Sequence, residues 1–225
     1  MYRIEVAVFA IAFSVFGLVV LAIVWSGGWA YELLARGSGN PATTFFTGGG
    51  TGGVTIDLPG LLDWHGRWAA YVIGTASTPP ASPGFFTPDE YAHMTDVRAV
   101  FRGAEVAAVL ALFVAVYRIG RARRRGDALR LIRAGSLIAA GLLMVVGIVA
   151  AFAFDALFLA FHEVFFPQGN FLFPPDSNLI RLYPEWYWQG ITAGVGVSFI
   201  ALALIAAGAA HRALRSRSTT YTRAA

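Results

Sequence analysis

The composition of this 225-residue chain excludes most soluble functions before any motif is considered. Apolar residues make up 57% of it and charged residues only 13%, about half the charged share of an ordinary globular domain. The net charge of +4 comes from arginines beside apolar stretches, which argues against a nucleic-acid-binding surface. There is no cysteine, so disulfides, thiolate catalysis and cysteine-bound metals are excluded. We therefore expect an integral membrane protein.

Four apolar segments are long enough to cross the roughly 30 Å hydrocarbon core of a membrane, which takes about 20 helical residues. They predict an all-α membrane protein with transmembrane helices over residues 1–25, 99–120, 134–155 and 190–210. The first segment is longer than a signal-peptide core and lacks a clear cleavage signature. We expect it to be retained as a helix.

The distribution of arginine predicts how these helices are oriented. The connection 121–133 and the tail 211–225 are rich in arginine, whereas the connections 26–98 and 156–189 contain few. Arginine-rich segments beside membrane helices stay in the cytoplasm. We therefore expect both termini in the cytoplasm and a small extracytoplasmic cap built from the two arginine-poor connections.

The first outer connection is rich in glycine and proline but has no phosphate-binding loop. Thr47 to Gly53 indicates a flexible turn or hairpin connection, and no Gly-Lys-Ser/Thr follows it. Thr75 to Pro83 indicates an extended proline/serine linker. The short apolar pieces Val54 to Leu58 and Trp68 to Ile73 favour strands. We therefore expect a few short strands in this part of the cap.

A helix is predicted to begin at Thr87. A threonine N-cap, Pro88 in the first turn and Glu90 three positions after the cap form a capping-box pattern. Apolar residues then recur at helical spacing up to the second transmembrane segment. An interfacial helix starting near residue 88 is therefore expected to carry His93 near the membrane boundary.

The third transmembrane segment shows the same arrangement. Its apolar pattern continues beyond Asp155 to Pro167 and carries His162. At 1.5 Å per residue, His162 lies roughly 10 Å beyond Asp155 if the helix continues. Two histidines from separate outer segments are thus predicted at a similar depth, and each is followed by a carboxylate, Asp96 or Glu163.

Other interpretations of these residues stay open. Either histidine alone could be an amphipathic interface residue, and His65 and His211 carry no functional signal. A zinc site from His93, His162 and one carboxylate is chemically possible, although the chain has no HExxH pair. The alternatives are therefore a non-enzymatic structural or assembly protein and a metal-assisted lipid ester hydrolase.

Two stretches resemble the bacterial lipoprotein intramolecular transacylase family, a group of small four-span membrane proteins. TPDEYAHMTDV, from Thr87 to Val97, is similar to the family's acidic-x-x-His-Met-x-Asp-Val element. FHEVFFPQGNFLFPPDSNLIRLYPEWYW, from Phe161 to Trp188, is similar to its Phe-His-x-x-Phe-Phe element and the sequence that follows. Phe171 stands where the family tends to have tryptophan, and the first loop matches little.

The resemblance implies an acyl migration on a lipoprotein whose N-terminal cysteine carries a diacylglyceryl thioether. Family members move the sn-2 acyl chain to the free amino group of that cysteine and leave a lyso-form lipoprotein. The family's two catalytic histidines correspond to His93 and His162. We accordingly expect diacylglyceryl-modified lipoproteins and membrane lipid as partners, no nucleic acid, no cofactor and no metal. The expected form is a monomer in the bacterial cytoplasmic membrane, with its site facing outward.

This chemistry suits a histidine pair on physical grounds. An α-amino group with a pKa near 7.7–8 is partly protonated at neutral pH. A neutral imidazole can take its proton, and an imidazolium can return one to the departing glyceryl oxygen. No protein nucleophile is needed, which agrees with a chain that has neither cysteine nor a GxSxG motif. The sequence leaves open which histidine is the base.

Supporting roles are predicted for residues near the two motifs. Those that could orient a ring or donate to an oxyanion are Asp96, Arg98, Glu163, Arg181, Tyr183 and Tyr187. Those expected to line an aromatic substrate pocket are Phe158, Phe161, Phe165, Phe166, Trp186 and Trp188. Asp96 could orient the His93 ring or pair with Arg98, and the sequence favours neither.

Overall fold

The computed structural model describes residues 2–47, 52–81 and 84–223, with side chains described as far as residue 216. Its elements in chain order are α1 (Tyr2–Trp25), α2 (Gly28–Ser38), β1 (Thr43–Thr47), β2 (Gly52–Ile56), α3 (Leu58–Val72), α4 (Pro88–Arg124), α5 (Ala128–Phe165), α6 (Asn178–Leu182) and α7 (Glu185–Arg223). Within the described residues, α1, α4, α5 and α7 are long and apolar enough to cross a membrane. The predicted all-α membrane class with short strands is confirmed.

The chain forms two compact units. The first comprises Met1–Leu21, Glu105–Phe152 and Gly194–Ala225, and the second comprises Ala22–Ala104 and Ala153–Ala193. The boundary within α5 coincides with Ala153, whose backbone is non-helical at φ −142° and ψ 43°. Each unit has its own core.

The first unit packs through small residues and three phenylalanines, Phe9, Phe13 and Phe199. Phe199 and Ala139 are about 1% exposed, and Phe13 meets Phe199 with 5.4 Å between ring centroids. A Cβ added to Gly135 would lie 2.3 Å from the ring of Phe9, so any larger residue at this position would force the ring or the helix to shift. Close approach over small residues is how membrane helices gain packing energy, because lipid tails are as apolar as the side chains.

A charge cluster lies in the first unit beside the turn between α4 and α5. Glu5 of α1, which is only 15% exposed, accepts both Nη groups of Arg125 and lies within 4 Å of Arg118 and Arg121. Gly126 allows the turn, because its φ of +78° is strained for residues with a Cβ. The predicted arginine-rich connection is therefore partly neutralised, and its cytoplasmic location stays a prediction.

The second unit is built around an aromatic core. β1 and β2 pair antiparallel with Thr43 opposite Ile56 and Thr47 opposite Gly52, which agrees with the predicted hairpin connection. Residues 48–51 of that connection, and 82–83 of the predicted linker, lie outside the described residues. Trp68 and Tyr31 are fully buried beside the hairpin.

The predicted strand at Trp68 to Ile73 is wrong, because this stretch lies in α3. The Asp57 side chain accepts the backbone N–H of Gly60 at 3.0 Å and caps the helix, and a proline stands in the first turn. The buried face repeats every three or four residues, through Leu61, His65, Trp68 and Val72. The predicted strand at Val54 to Leu58 forms as far as Ile56, after which α3 begins.

The predicted capping box at the start of α4 is confirmed. The Thr87 N–H donates to Glu90 Oε2 at 2.7 Å, and the Glu90 N–H donates to Thr87 Oγ1 at 3.2 Å. Glu90 is only 1% exposed. Its other oxygen, Oε1, is satisfied inside the protein, where it accepts the Leu179 N–H at 2.9 Å and the Ser177 hydroxyl. This second role was missed from the sequence. One carboxylate thus fixes both the start of α4 and the start of α6.

Candidate active site

His93 of α4 and His162 of α5 lie face to face in the second unit. Their ring centroids are 6.3 Å apart and the rings are 18° from parallel. Both are buried, at 7% and 8% exposure. The structure therefore brings together the two histidines that the sequence singled out.

The hydrogen-bond partner of the His162 ring determines its tautomer. Its Nδ1 lies 2.7 Å from the carbonyl oxygen of Phe158, one helical turn earlier. A carbonyl oxygen can only accept, so Nδ1 carries the hydrogen. In the neutral ring the lone pair is then on Nε2, which is the atom able to take a proton from a substrate.

Asp96 belongs to a polar cluster beside His93. Its Oδ2 accepts the amides of Asn170 at 2.6 Å and Gln168 at 2.8 Å, and Asn170 lies close to the His93 ring. Gly169, between the two amides, has a φ of +78°. This left-handed turn lets both amides converge on one carboxylate. Gln168 and Asn170 were missed from the sequence because the cluster joins α4 to a loop over 70 residues away.

Arg98, the other proposed partner of Asp96, is engaged elsewhere. Its Nη1 donates to the carbonyl of Ala76 at 2.9 Å, and its guanidinium lies 4.5 Å above the ring of Tyr71. Glu163 is exposed. Of the two carboxylates that follow the histidines, the structure places only Asp96 in a polar cluster with its histidine.

Aromatic rings surround the histidine pair. Centroid distances to His162 are 4.2 to 5.5 Å for Phe158, Phe171, Phe161 and Phe166. Phe166 also lies 4.9 Å from His93. Phe165 is one ring removed, packed on Phe161, and Trp188 is one ring removed through Phe158. Of the predicted pocket residues, all but Trp186 therefore belong to this aromatic shell.

One further aromatic shell residue was missed from the sequence. Phe173 lies 5.5 Å from His93. It could have been predicted from its position two residues after Phe171, because alternate residues of an extended segment lie on the same side. The shell is open at one side, where Phe161 and Phe165 are 46% and 47% exposed.

Tyr183, Tyr187 and Trp186 form a different cluster, centred on Tyr31. Tyr187 and Trp186 lie 5.4 and 5.8 Å from Tyr31, and Tyr183 lies 6.4 Å away. The described structure therefore does not bring these predicted oxyanion and pocket residues against the histidine pair. Arg181 stacks on Phe46 instead, 4.5 Å above the ring.

His65, for which the sequence gave no signal, lies in this second aromatic cluster. It is 2% exposed and stacks on Tyr31 at 4.7 Å. Its Nε2 lies 3.1 Å from the Ser26 carbonyl oxygen, to which it must donate. Burial lowers the pKa of His65 to about 4, more than the backbone contacts at Ser26 and Gly27 raise it. The ring is therefore neutral at neutral pH and supports the core.

Two cavities of the second unit lie away from the histidine pair. One of about 330 Å³ lies beside Tyr31 and Arg181. Another of about 420 Å³ lies beside Arg67 and Thr78. Neither is lined by His93 or His162. The opening at the pair is instead the exposed side of its aromatic shell.

Comparisons with known proteins agree on one family. The sequence model of a protein family described as "Lipoprotein intramolecular transacylase Lit" matches residues 66–188 of this chain. The membrane integral lipoprotein intramolecular transacylase Lit from Bacillus cereus superposes with a TM-score of 0.70 at 18% identity, covering 98% of both chains. A variant of that protein with one histidine replaced by arginine gives 0.68 at 13% identity, covering 98% of this chain and 95% of the other. A search of curated proteins found no match.

Proposed function

This chain belongs to the lipoprotein intramolecular transacylase family, and on that premise we propose that it moves an acyl chain within a diacylglyceryl-modified lipoprotein. The chain is an integral membrane protein with four apolar helices. The proposed step breaks the sn-2 ester and forms an amide on the α-amino group of the same cysteine. The product is a lyso-form lipoprotein. The proposed location is the outer face of the bacterial cytoplasmic membrane.

The observation that carries this proposal is the stacked, buried pair of His93 and His162 inside an aromatic shell. His162 suits the base, because the Phe158 carbonyl keeps hydrogen on Nδ1 and leaves Nε2 free to accept. Burial, and then the neighbouring His162, lower the pKa of His93, and Asn170 and Asp96 offset part of this shift. We assign the acid to His93 because it is the histidine with a carboxylate cluster beside it. The amine proton passes to His162, the glyceryl oxygen takes a proton from His93, and no net proton is consumed.

Positioning supplies much of the proposed rate enhancement. The amine and the ester belong to one molecule, and holding them in attack geometry can be worth about 7–11 kcal/mol. The shell of Phe158, Phe161, Phe166 and Phe171 around His162 would keep water from hydrolysing the ester. The step needs no activated donor, since an ester becomes the more stable amide.

The test uses a reporter lipoprotein expressed with this protein in a bacterium that lacks N-acylation of lipoproteins. The migration is an isomerisation, so the intact mass of the lipopeptide does not change. Tandem mass spectrometry must therefore show one ester-linked and one amide-linked chain, and amine-reactive labelling of the N-terminus must be lost. A free amine with two ester-linked chains would contradict the proposal. Release of free fatty acid would indicate a hydrolase instead.

Variants assign the roles. We expect His93→Ala and His162→Ala each to lower the rate about 1000-fold, within the range for lost acid–base catalysis. His211→Ala is the matched control, since His211 lies in the first unit, and it should leave the rate unchanged. Equal activity of all three variants at equal membrane levels would overturn the assignment.

Inhibition by chelators would favour the metal-assisted alternative, although no group of three or more potential ligands occurs among residues 2–47, 52–81 and 84–223.

A further inference from the structure

A cavity of about 330 Å³ in the second unit combines a cation, a polar rim and an aromatic wall. Its lining includes Arg181, Asn40 and Thr43 as polar residues, and Tyr31 and Trp186 as aromatic ones. The rest of the lining is apolar and consists of Ala42, Leu61, Pro175, Ile180 and Pro184. The cavity therefore suits a ligand that combines apolar parts with hydrogen-bonding groups and negative charge, as a peptide does.

The edge of β1 beside this cavity is already used once for strand-like pairing. The Phe46 N–H donates to Asn178 Oδ1 at 2.9 Å, and Asn178 Nδ2 donates to the Phe46 carbonyl at 2.8 Å. The side-chain amide of Asn178 thus pairs with Phe46 as a residue of a third strand would. These bonds also establish that Phe46 directs its amide and carbonyl away from β2.

The same edge is open two residues earlier. Successive residues of a strand direct their backbone groups to opposite edges, so the N–H and C=O of Thr44, two residues before Phe46, face the same way as those of Phe46. Within the described part of the chain, no hydrogen bond reaches either group of Thr44. Ala42 and Thr43, which precede it, line the cavity. An extended peptide laid along this edge would satisfy Thr44.

Arg181 supplies the charge for such a ligand. Its guanidinium lies 4.5 Å above the ring of Phe46, and its Nε is buried with no hydrogen-bond partner among the described residues. A buried charged donor without an acceptor is costly. A carboxylate is the side chain that matches a guanidinium in charge and in geometry.

This cavity is tied to the histidine pair through α6. The short helix holds Asn178 and Arg181, and its Leu179 N–H donates to Glu90 of α4. Glu90 precedes His93 by three residues, about 5 Å along the helix. α6 therefore connects the β1 edge directly to the helix that carries His93.

We propose that the β1 edge at Thr44 and the cavity at Arg181 bind the peptide that follows the lipid-bearing cysteine of the substrate. The peptide lies as an extended strand on β1, and a carboxylate side chain within its first residues contacts Arg181. This inference rests on the proposed function. It adds a peptide-binding site, separate from the histidine pair, that favours acidic residues after the cysteine.

The experiment uses the full chain in detergent with three synthetic substrates. One is diacylglyceryl-cysteine amide, and the other two are lipopeptides with five further residues that contain either Glu or Gln. In the wild type, KM for the Glu lipopeptide should be about tenfold below that for the Gln lipopeptide, as one charge-assisted contact predicts, and both should lie below KM for the cysteine amide. In Arg181→Gln the ratio of KM between Gln and Glu lipopeptides should fall to about one. Arg67→Gln, which loses a surface pair with Asp63 and a cation–π contact with Trp64, should keep the wild-type ratio.

The strand pairing is tested first by altering the substrate and then by altering Thr44. N-methylation of the lipopeptide at alternate residues removes donors on one edge at a time, so one set should raise KM about tenfold and the other should not. Thr44→Pro, which removes an N–H directed away from β2, should abolish that difference. Equal KM for all three substrates in the wild type would overturn the inference and leave the transacylase standing. Failure of the wild type to convert any of them would overturn the proposed function instead.

Discussion

The two units of this molecule bury different kinds of residue. In the described part of the first unit, Ser136 is the one buried polar side chain, and the rest of its core is apolar and mostly small. The second unit buries three histidines, a glutamate and an asparagine, namely His65, Glu90, His93, His162 and Asn178.

The first unit is therefore stabilised mainly by its apolar composition, and the second depends on specific hydrogen-bond partners for its buried polar side chains. A membrane helix pairs its own backbone groups and needs only an apolar surface. A buried polar side chain needs partners with defined geometry, and one that loses them costs about 1–3 kcal/mol. We therefore expect the second unit to respond sharply to single polar substitutions, and the first to respond mainly to changes in size.

The largest effect on stability is expected at Glu90. Glu90→Ala leaves the N–H groups of Thr87 and Leu179 without acceptors, which should lower the free energy of unfolding by about 3 kcal/mol. Asp89→Ala, at the exposed neighbouring position, should cost only about 0.5 kcal/mol. Denaturant titration in detergent measures both. Equal losses would show that the buried contacts of Glu90 contribute little.

A pH-dependent loss of stability is expected from His65. Its folded-state pKa of about 4 lies below the ordinary 6.5, so the unfolded chain binds more protons between these values. The free energy of unfolding should therefore fall as the pH drops below about 6.5, by about 2 kcal/mol between pH 7 and pH 5. The difference in this fall between the wild type and His65→Phe isolates the contribution. An identical pH profile for the variant would refute it.

A smaller effect, on the rate alone, is expected at Asp96. Asp96→Asn keeps the shape of the cluster with Gln168 and Asn170 but removes the charge beside His93. We expect kcat to fall about tenfold, equivalent to about 1.4 kcal/mol, with little change in KM. Glu163→Gln, at the exposed carboxylate, is the matched control and should stay near wild type. A change in KM alone would assign Asp96 to substrate binding.

The smallest effect is expected in the first unit and depends on size. Gly135→Ala places a methyl group against the buried ring of Phe9, and the clash should outweigh the better helix propensity by about 1 kcal/mol. Gly141→Ala, in the same helix with nothing within 4 Å of the added Cβ, should be neutral or stabilising. Thermal unfolding of both variants in detergent checks this. A stabilised Gly135→Ala would mean that this contact can relax.

The extent of successful prediction follows the same division. Hydropathy alone identified the four membrane helices, and local chemistry identified the capping box at Thr87, because both depend on residues close in sequence. The helix α3 was not predicted, because the short apolar stretch that begins at Trp68, taken alone, fits a strand as well as a helix. The partners of Asp96 and the packing of His65 were missed because they join segments far apart in the chain, and a single sequence carries no signal for such contacts.

The bond between His162 Nδ1 and the Phe158 carbonyl makes the resting tautomer of that ring accessible to spectroscopy. A nitrogen-15 spectrum of labelled protein should show one protonated and one bare ring nitrogen for His162, because the two forms resonate far apart. A substrate analogue whose amine donates to Nε2 would shift only the bare nitrogen. The first encounter between amine and imidazole could thus be followed before any bond is broken.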